Sequence, residues 1–154
     1  MALSVLVLLH LLGFAAFLGG AFAQQQIMKM SSADGLAAPV RDAYERLAAG
    51  ASRKIELPGI FLQVASGVGL LVLAPGFLKE HWIHAKLTAV LLLLVLAHVE
   101  MINASRIVKA RAARGDAAGE EIAGRKKRHA MLGNVGTVLV LAVVLLATVL
   151  RGMF

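Results

Sequence analysis

Residues 82–105 read WIHAKLTAVLLLLVLAHVEMINAS, and this stretch decides the fold. A helix of that length extends about 36 Å, enough to cross the roughly 30 Å hydrocarbon core of a bilayer. Its apolar centre carries no charge between Lys86 and Glu100. Three further stretches of the same kind flank it: residues 2–23, 55–74 and 130–150. The expected architecture is an all-α membrane protein, a bundle of four transmembrane helices forming one integral domain over 1–154, with loops at 24–54 and 106–129 on the cytoplasmic side.

Composition supports lipid as the solvent. Of 154 residues, 59% are hydrophobic and the mean hydropathy is +0.79, while aromatic residues are only 5%. The net charge of +7 does not point to nucleic acid, because the basic residues lie between the apolar stretches. Lys29, Arg41, Arg46, Arg53 and Lys54 separate the first two, Lys79 alone separates the second and third, and a basic run from Arg106 to Arg128 separates the third and fourth. The positive-inside rule then places both termini on the outer, periplasmic side of a bacterial plasma membrane. The basic run Arg125 to Arg128 is expected to lie against anionic lipid on the inner face. Ala21-Phe22-Ala23 resembles a signal-peptidase site, but no Lys or Arg precedes Lys29, so the first stretch is expected to remain as a helix. Pro58 sits near the start of the second stretch and Pro75-Gly76 ends it, and a helical segment over 41–54 is expected to lie on the membrane surface. The chain has no cysteine, which excludes disulfides, thiolate metal sites and thiol nucleophiles.

Ionisable side chains inside a span cost about 2.5–3.5 kcal/mol on insertion scales, so each is a functional candidate. His10, His84, Lys86, His98 and Glu100 qualify. His84 and His98 stand about 21 Å apart along one helix and about 40° apart around it, with Thr88, Leu91 and Val95 on the same stripe. That stripe is expected to face the bundle. Lys86 and Glu100 fall on another face, where a snorkelling lysine and an interfacial glutamate are the plainer explanation. The chemistry that best suits neutral imidazoles between helices is axial ligation of haem iron, and the His84–His98 spacing would suit a second haem. The plainer alternative is a histidine hydrogen-bonded to a neighbouring helix, favoured for His81 and His129 at the interfaces. Gly13, Gly19, Gly20, Gly59, Gly67, Gly69, Gly133 and Gly136 allow close approach of backbones or of a flat macrocycle, and Gln63, Ser66, Asn134 and Thr137 could hydrogen-bond propionates or one another. No phosphate-binding glycine loop, no HExxH and no hydrolytic triad is present.

Leu9-His10-Leu11-Leu12 with Gly19-Gly20, and Trp82-Ile83-His84-Ala85-Lys86-Leu87, resemble motifs of the HemJ-type protoporphyrinogen IX oxidase family and its wider copper-resistance-D-like relatives, four-helix membrane haem proteins. Arg53, Pro58 and Thr137 match further positions of that core. The resemblance implies haem b held by His10 and Lys86, with electrons leaving a porphyrinogen. The helix geometry prefers His84, so the second ligand stays open between Lys86 and His84, with His98 marking a further site. Two departures stand out. Met30-Ser31-Ser32 occupies the place of the family's His-Ala-Glu, and Gly133-Asn134-Val135-Gly136 that of its Asn-Glu-x-Pro. The scaffold and haem site are therefore expected to be shared more than the oxidase activity.

The function expected is that of a membrane b-type haem protein with a redox or electron-transfer role. Its expected partners are the bilayer, a quinone or other membrane electron acceptor, a porphyrin or other small substrate, and a second copy of the chain. Two alternatives are a copper-handling or transport protein without haem and a non-enzymatic helical subunit. Copper sites recruit Met or Cys beside His, and here only Met101 and Met131 lie within spans.

Overall fold

The computed structural model describes residues 1–148, which form helices and the short turns between them. α1 runs Ala2–Met30, α2 Ala38–Ala51, α3 Leu57–Leu73, α4 His81–Arg114 and α5 Gly119–Thr148. Three continuous helical runs are long and apolar enough to cross a membrane: Ala2–Met30, Ala38–Leu73 and His81–Thr148. The last of them doubles back. A turn at Gly115–Ala118, where Gly115 takes φ +53°, a region only glycine enters cheaply, lays α5 along α4.

The segments expected as loops are largely helical. α1 continues past residue 23 to Met30, and α4 past 105 to Arg114. The helix expected over 41–54 is present as α2, buries Glu45, Ala48 and Ala51 against α1 and α4, and runs on into α3. It does so through a π-helical turn at Ser52–Glu56. Pro58 supplies the reason: it has no N–H to donate and its ring crowds the carbonyl four residues back, at Lys54, so the widened turn carries the chain past the proline.

Packing is uneven. α1 lies closely on α3, and α4 on α5, while the two pairs meet over much smaller areas. Glycine sets the first contact: a Cβ on Gly13 would come 2.5 Å from the backbone nitrogen of Gln63. Gly59 meets the backbone at Phe17 in the same way. Away from these contacts the helices turn bulky apolar residues outward, among them Leu8, Leu11, Val138 and Leu141. One apolar cluster, around Phe17, Ile60, Leu93 and Val140, joins the pairs in the middle of the bundle.

The charged end is clamped by Glu45. It lies in α2, outside the apolar stretches, and is 0% exposed. Arg111 of α4 donates to both its oxygens, at 3.0 and 3.1 Å, and Lys126 of α5 approaches to 2.8 Å. Lys126 also donates to the Ser31 carbonyl just beyond α1, at 3.0 Å. Burial alone would raise the Glu45 pKa, but the hydrogen bonds from Arg111 and Lys126 outweigh it and hold the carboxyl below its usual range.

Two outcomes follow for stability. Gly13→Ala should lower the midpoint of detergent-induced unfolding by an equivalent of about 1–3 kcal/mol, because backbone cannot move aside. Gly19→Ala, on the same helix with nothing within 4 Å, should leave it unchanged or slightly raised. Glu45→Ala removes the partner that Arg111 and Lys126 share, leaving them Asp116 and the Ser31 carbonyl, and should cost about 1.5–3 kcal/mol. Since the folded Glu45 pKa is depressed, its contribution is complete above the unfolded value of about 4.3 and lost as pH falls below that through the folded value. An unfolding series from pH 7 to pH 3 should therefore show wild type converging on Glu45→Ala at the acid end.

Candidate functional site

Which face of α4 points inward controls everything else. Ile83, Ala89, Leu93, Ala97, Glu100 and Ala104 are buried, and Lys86 is half-buried on the same stripe. Leu91 and Val95 are 60% and 56% exposed, and His84 is exposed beside them. The His84–Leu91–Val95 stripe expected to face the bundle therefore faces outward. The physical reason is size: Ala89, Ala97 and Ala104 let neighbouring helices approach, whereas the bulky stripe is better solvated by lipid.

His10 is half-buried between α1 and α3. Its Nδ1 lies 2.8 Å from the Gln63 carbonyl oxygen. A carbonyl can only accept, so the ring proton sits on Nδ1 and Nε2 keeps its lone pair. Gly67 makes room for the ring, since a Cβ there would stand 3.2 Å from His10 Cε1, and the Ser66 hydroxyl lies 3.4 Å from Nδ1. Lys86 of α4 is within electrostatic range of this imidazole.

The other helix-borne histidines point elsewhere. His84 donates from Nε2 to the Leu78 carbonyl at 2.9 Å, in the turn that precedes its own helix. His98 donates from Nδ1 to Leu94 of its own helix at 2.8 Å and stands edge-on to Phe61 of α3, with ring centroids 5.6 Å apart. Of the four residues singled out as candidate iron ligands, His10 and Lys86 lie within electrostatic range of each other, while His84 and His98 are bonded to carbonyls elsewhere.

Further toward the charged end, a cavity of about 1170 Å³ opens between the two helix pairs. Phe14, Phe17 and Leu93 wall its upper part. These residues continue the faces that carry His10 and Lys86, since Phe14 lies one turn from His10 and Leu93 two turns from Lys86. Deeper in, polar groups gather. Glu100 accepts from Gln25 Nε2 at 2.6 Å, and the same amide reaches the His129 carbonyl at 3.3 Å. His129 donates from Nε2 to Gln24 Oε1 at 2.6 Å. Glu56, from the π-helical turn, is within electrostatic range of Glu100. Glu56 and His129 are each 1% exposed, and Glu56 Oε2 and His129 Nδ1 have no hydrogen-bond partner among the described residues. Lys29, Arg41 and Lys127, together with Asp34 and Asp116, line the cavity toward the charged end.

The chain matches the family model described as "Predicted integral membrane protein (DUF2269)" over residues 4–152. The chain belongs to this family. It is therefore an integral membrane protein, in keeping with its long apolar helices. No curated protein and no solved structure matches it.

Sequence reasoning passed over Glu56, Gln24 and Gln25 and set His129 aside as interfacial. Glu56 carried a signal: it is the second residue of the 55–74 stretch and its one acid, near Pro58, where a helix start would ordinarily be exposed. The glutamines carried none, because Gln25 and Glu100 are 75 residues apart in the chain.

Gly133 on α5 is shaped around this network, since a Cβ there would overlap the Gln25 side chain. Gly133→Ala should lower the unfolding midpoint by about 1–3 kcal/mol. In a Gln25→Ala background most of that penalty should vanish, a non-additivity that a double-mutant cycle on purified protein reads directly.

Proposed function

We propose that this chain is a b-type haem protein of the bacterial plasma membrane, crossing it four times with both termini outside, and that His10 and Lys86 are the axial ligands of one haem. The carrying observation is the His10 ring. Its Nδ1–H is fixed on the Gln63 carbonyl, the orientation that metal-ligating histidines use to present Nε2 to a metal. Lys86 approaches the same imidazole from α4. Both lie on helix faces that continue, beyond Phe14 and Leu93, from the cavity between the helix pairs.

The four crossings follow from four apolar helical stretches, on α1, α3, α4 and α5, with the basic residues gathered between α1 and α3 and between α4 and α5. The Glu45 clamp ties that basic side together. The haem iron would supply one-electron exchange. The chain's own residues then have separate tasks: the Gln63 carbonyl holds the imidazole tautomer, Gly67 admits the ring, and Lys86 brings an amine from the opposing pair. This favours a redox or electron-transfer role with a membrane quinone, and a porphyrin remains a candidate reductant through the resemblance in the helix motifs. A bare copper ion has less support, because among the described residues no three His, Asp or Glu side chains converge to hold one.

Reduced-minus-oxidised spectra of detergent-purified protein, expressed with haem precursor, test this. Wild type should show Soret and α bands. His10→Ala should abolish them, Lys86→Ala should shift the ferric spectrum toward high spin, and His84→Ala should leave both states unchanged. Gly67→Val, which crowds the ring, should weaken haem retention about 10–100-fold. A colourless wild type, or bands that survive His10→Ala, would remove the assignment.

A further inference from the structure

The cavity below His10 carries a second site. It is open on one side: α1 and α5 make little contact, and Phe22 and Leu141, both lining residues, are 67% and 63% exposed. That gap faces lipid, so an apolar molecule can enter sideways from the bilayer. Of the residues that line the cavity, Glu56 and His129 carry buried acceptors without a partner, while the Ser52 hydroxyl near Glu56 and the Gln24 Nε2 beside His129 lie outside the lining. Glu56 Oε2 is a carboxyl oxygen, and His129 Nδ1 holds a lone pair because its Nε2–H is committed to Gln24. They come from separate helical elements and face one cavity. Buried acceptors left unmet cost about 1–3 kcal/mol each, so the site calls for a ligand with two donors.

We propose that this cavity binds a quinol of the bilayer, its two ring hydroxyls donating to Glu56 Oε2 and His129 Nδ1 and its ring lying among Phe14, Phe17 and Leu93. Competing chemistries fit less well. A quaternary organic cation brings charge but no hydrogen-bond donor to two acceptors. A fatty acid or phosphate head would bring negative charge onto two acceptors and onto Glu100. A lipid alcohol offers one hydroxyl for two sites. A quinol also suits a carboxyl pair on chemical grounds. Each ring oxygen loses one proton and one electron on oxidation, and Glu56 with Glu100 gives the protons a route toward the charged end. The two electrons would leave one at a time to the haem proposed above, with a second haem protein of the membrane reoxidising it between the two transfers. Only that last step rests on the haem reading, since binding does not need it.

Calorimetric titration of the purified full chain in detergent with decylubiquinol tests the site, with tetraphenylphosphonium as a competitor. Saturable binding is expected at one site per chain. Glu56→Leu and Leu141→Trp should each weaken it at least tenfold, the first by removing an acceptor and the second by filling the lateral opening from an exposed position that leaves the core intact. Glu120→Gln, exposed and outside the cavity, should not change it. Non-saturable partition, affinity indifferent to either Glu56→Leu or Leu141→Trp, or displacement by the cation would each overturn the proposal. Saturable quinol binding to a colourless protein would leave the site standing and remove the haem. Haem bands without quinol binding would do the reverse.

Discussion

The approach of α1 to α3 at Gly13 and Gly59 is the contact on which the rest of the bundle depends. Helix pairs in lipid gain no hydrophobic drive from one another, so tight packing comes from small residues that let backbones touch. Here that contact fixes the rotation of α1 and with it the face that carries His10, Phe14 and Phe17. It also consumes the available closeness. With α1 held on α3 and α4 held on α5, the two pairs meet through the central apolar cluster, the hydrogen bonds of Gln24 and Gln25 to His129 and Glu100, and the charged clamp at Glu45, and the seam between them is where polar groups can be buried around a ligand.

Along that seam the polar groups divide into two stations. The outer one, His10 with Lys86, offers nitrogen donors and is oriented by a backbone carbonyl, which does not titrate. The inner one, Glu56, Glu100, Gln25 and His129, offers oxygen and nitrogen acceptors near the charged end. An aromatic and leucine wall separates them. Neither station lies on the lipid-facing side of α4, where the exposed Leu91 and Val95 sit. The chemistry of this membrane protein is thus concentrated where the packing is loosest, while its stability rests on the glycine contact and on one buried carboxylate with two cations.

The membrane class and the apolar stretches were legible because each runs for twenty residues or so with hardly a charge, a signal that needs no partner to interpret. His10 was legible too, as an ionisable group deep in such a run. The face of α4 was not. Both of its stripes are rich in Leu and Val, and rotation was decided by Ala89, Ala97 and Ala104, small residues whose meaning depends on a neighbouring helix. The helix over 41–54 was legible, but its continuity into α3 was hidden by Pro58, which reads as a helix start and is instead passed through the π-helical turn at Ser52–Glu56. The inner station was least legible, since Gln25, Glu56, Glu100 and His129 meet through long-range packing that local patterning cannot register.

The central claim is that the outer station holds haem. Pyridine haemochrome quantitation on the purified chain measures it without relying on any activity. The account predicts one haem b per chain in wild type, released in step with loss of the His10 imidazole. A preparation that is folded by its unfolding transition, yet holds no haem after expression with abundant precursor, would contradict it.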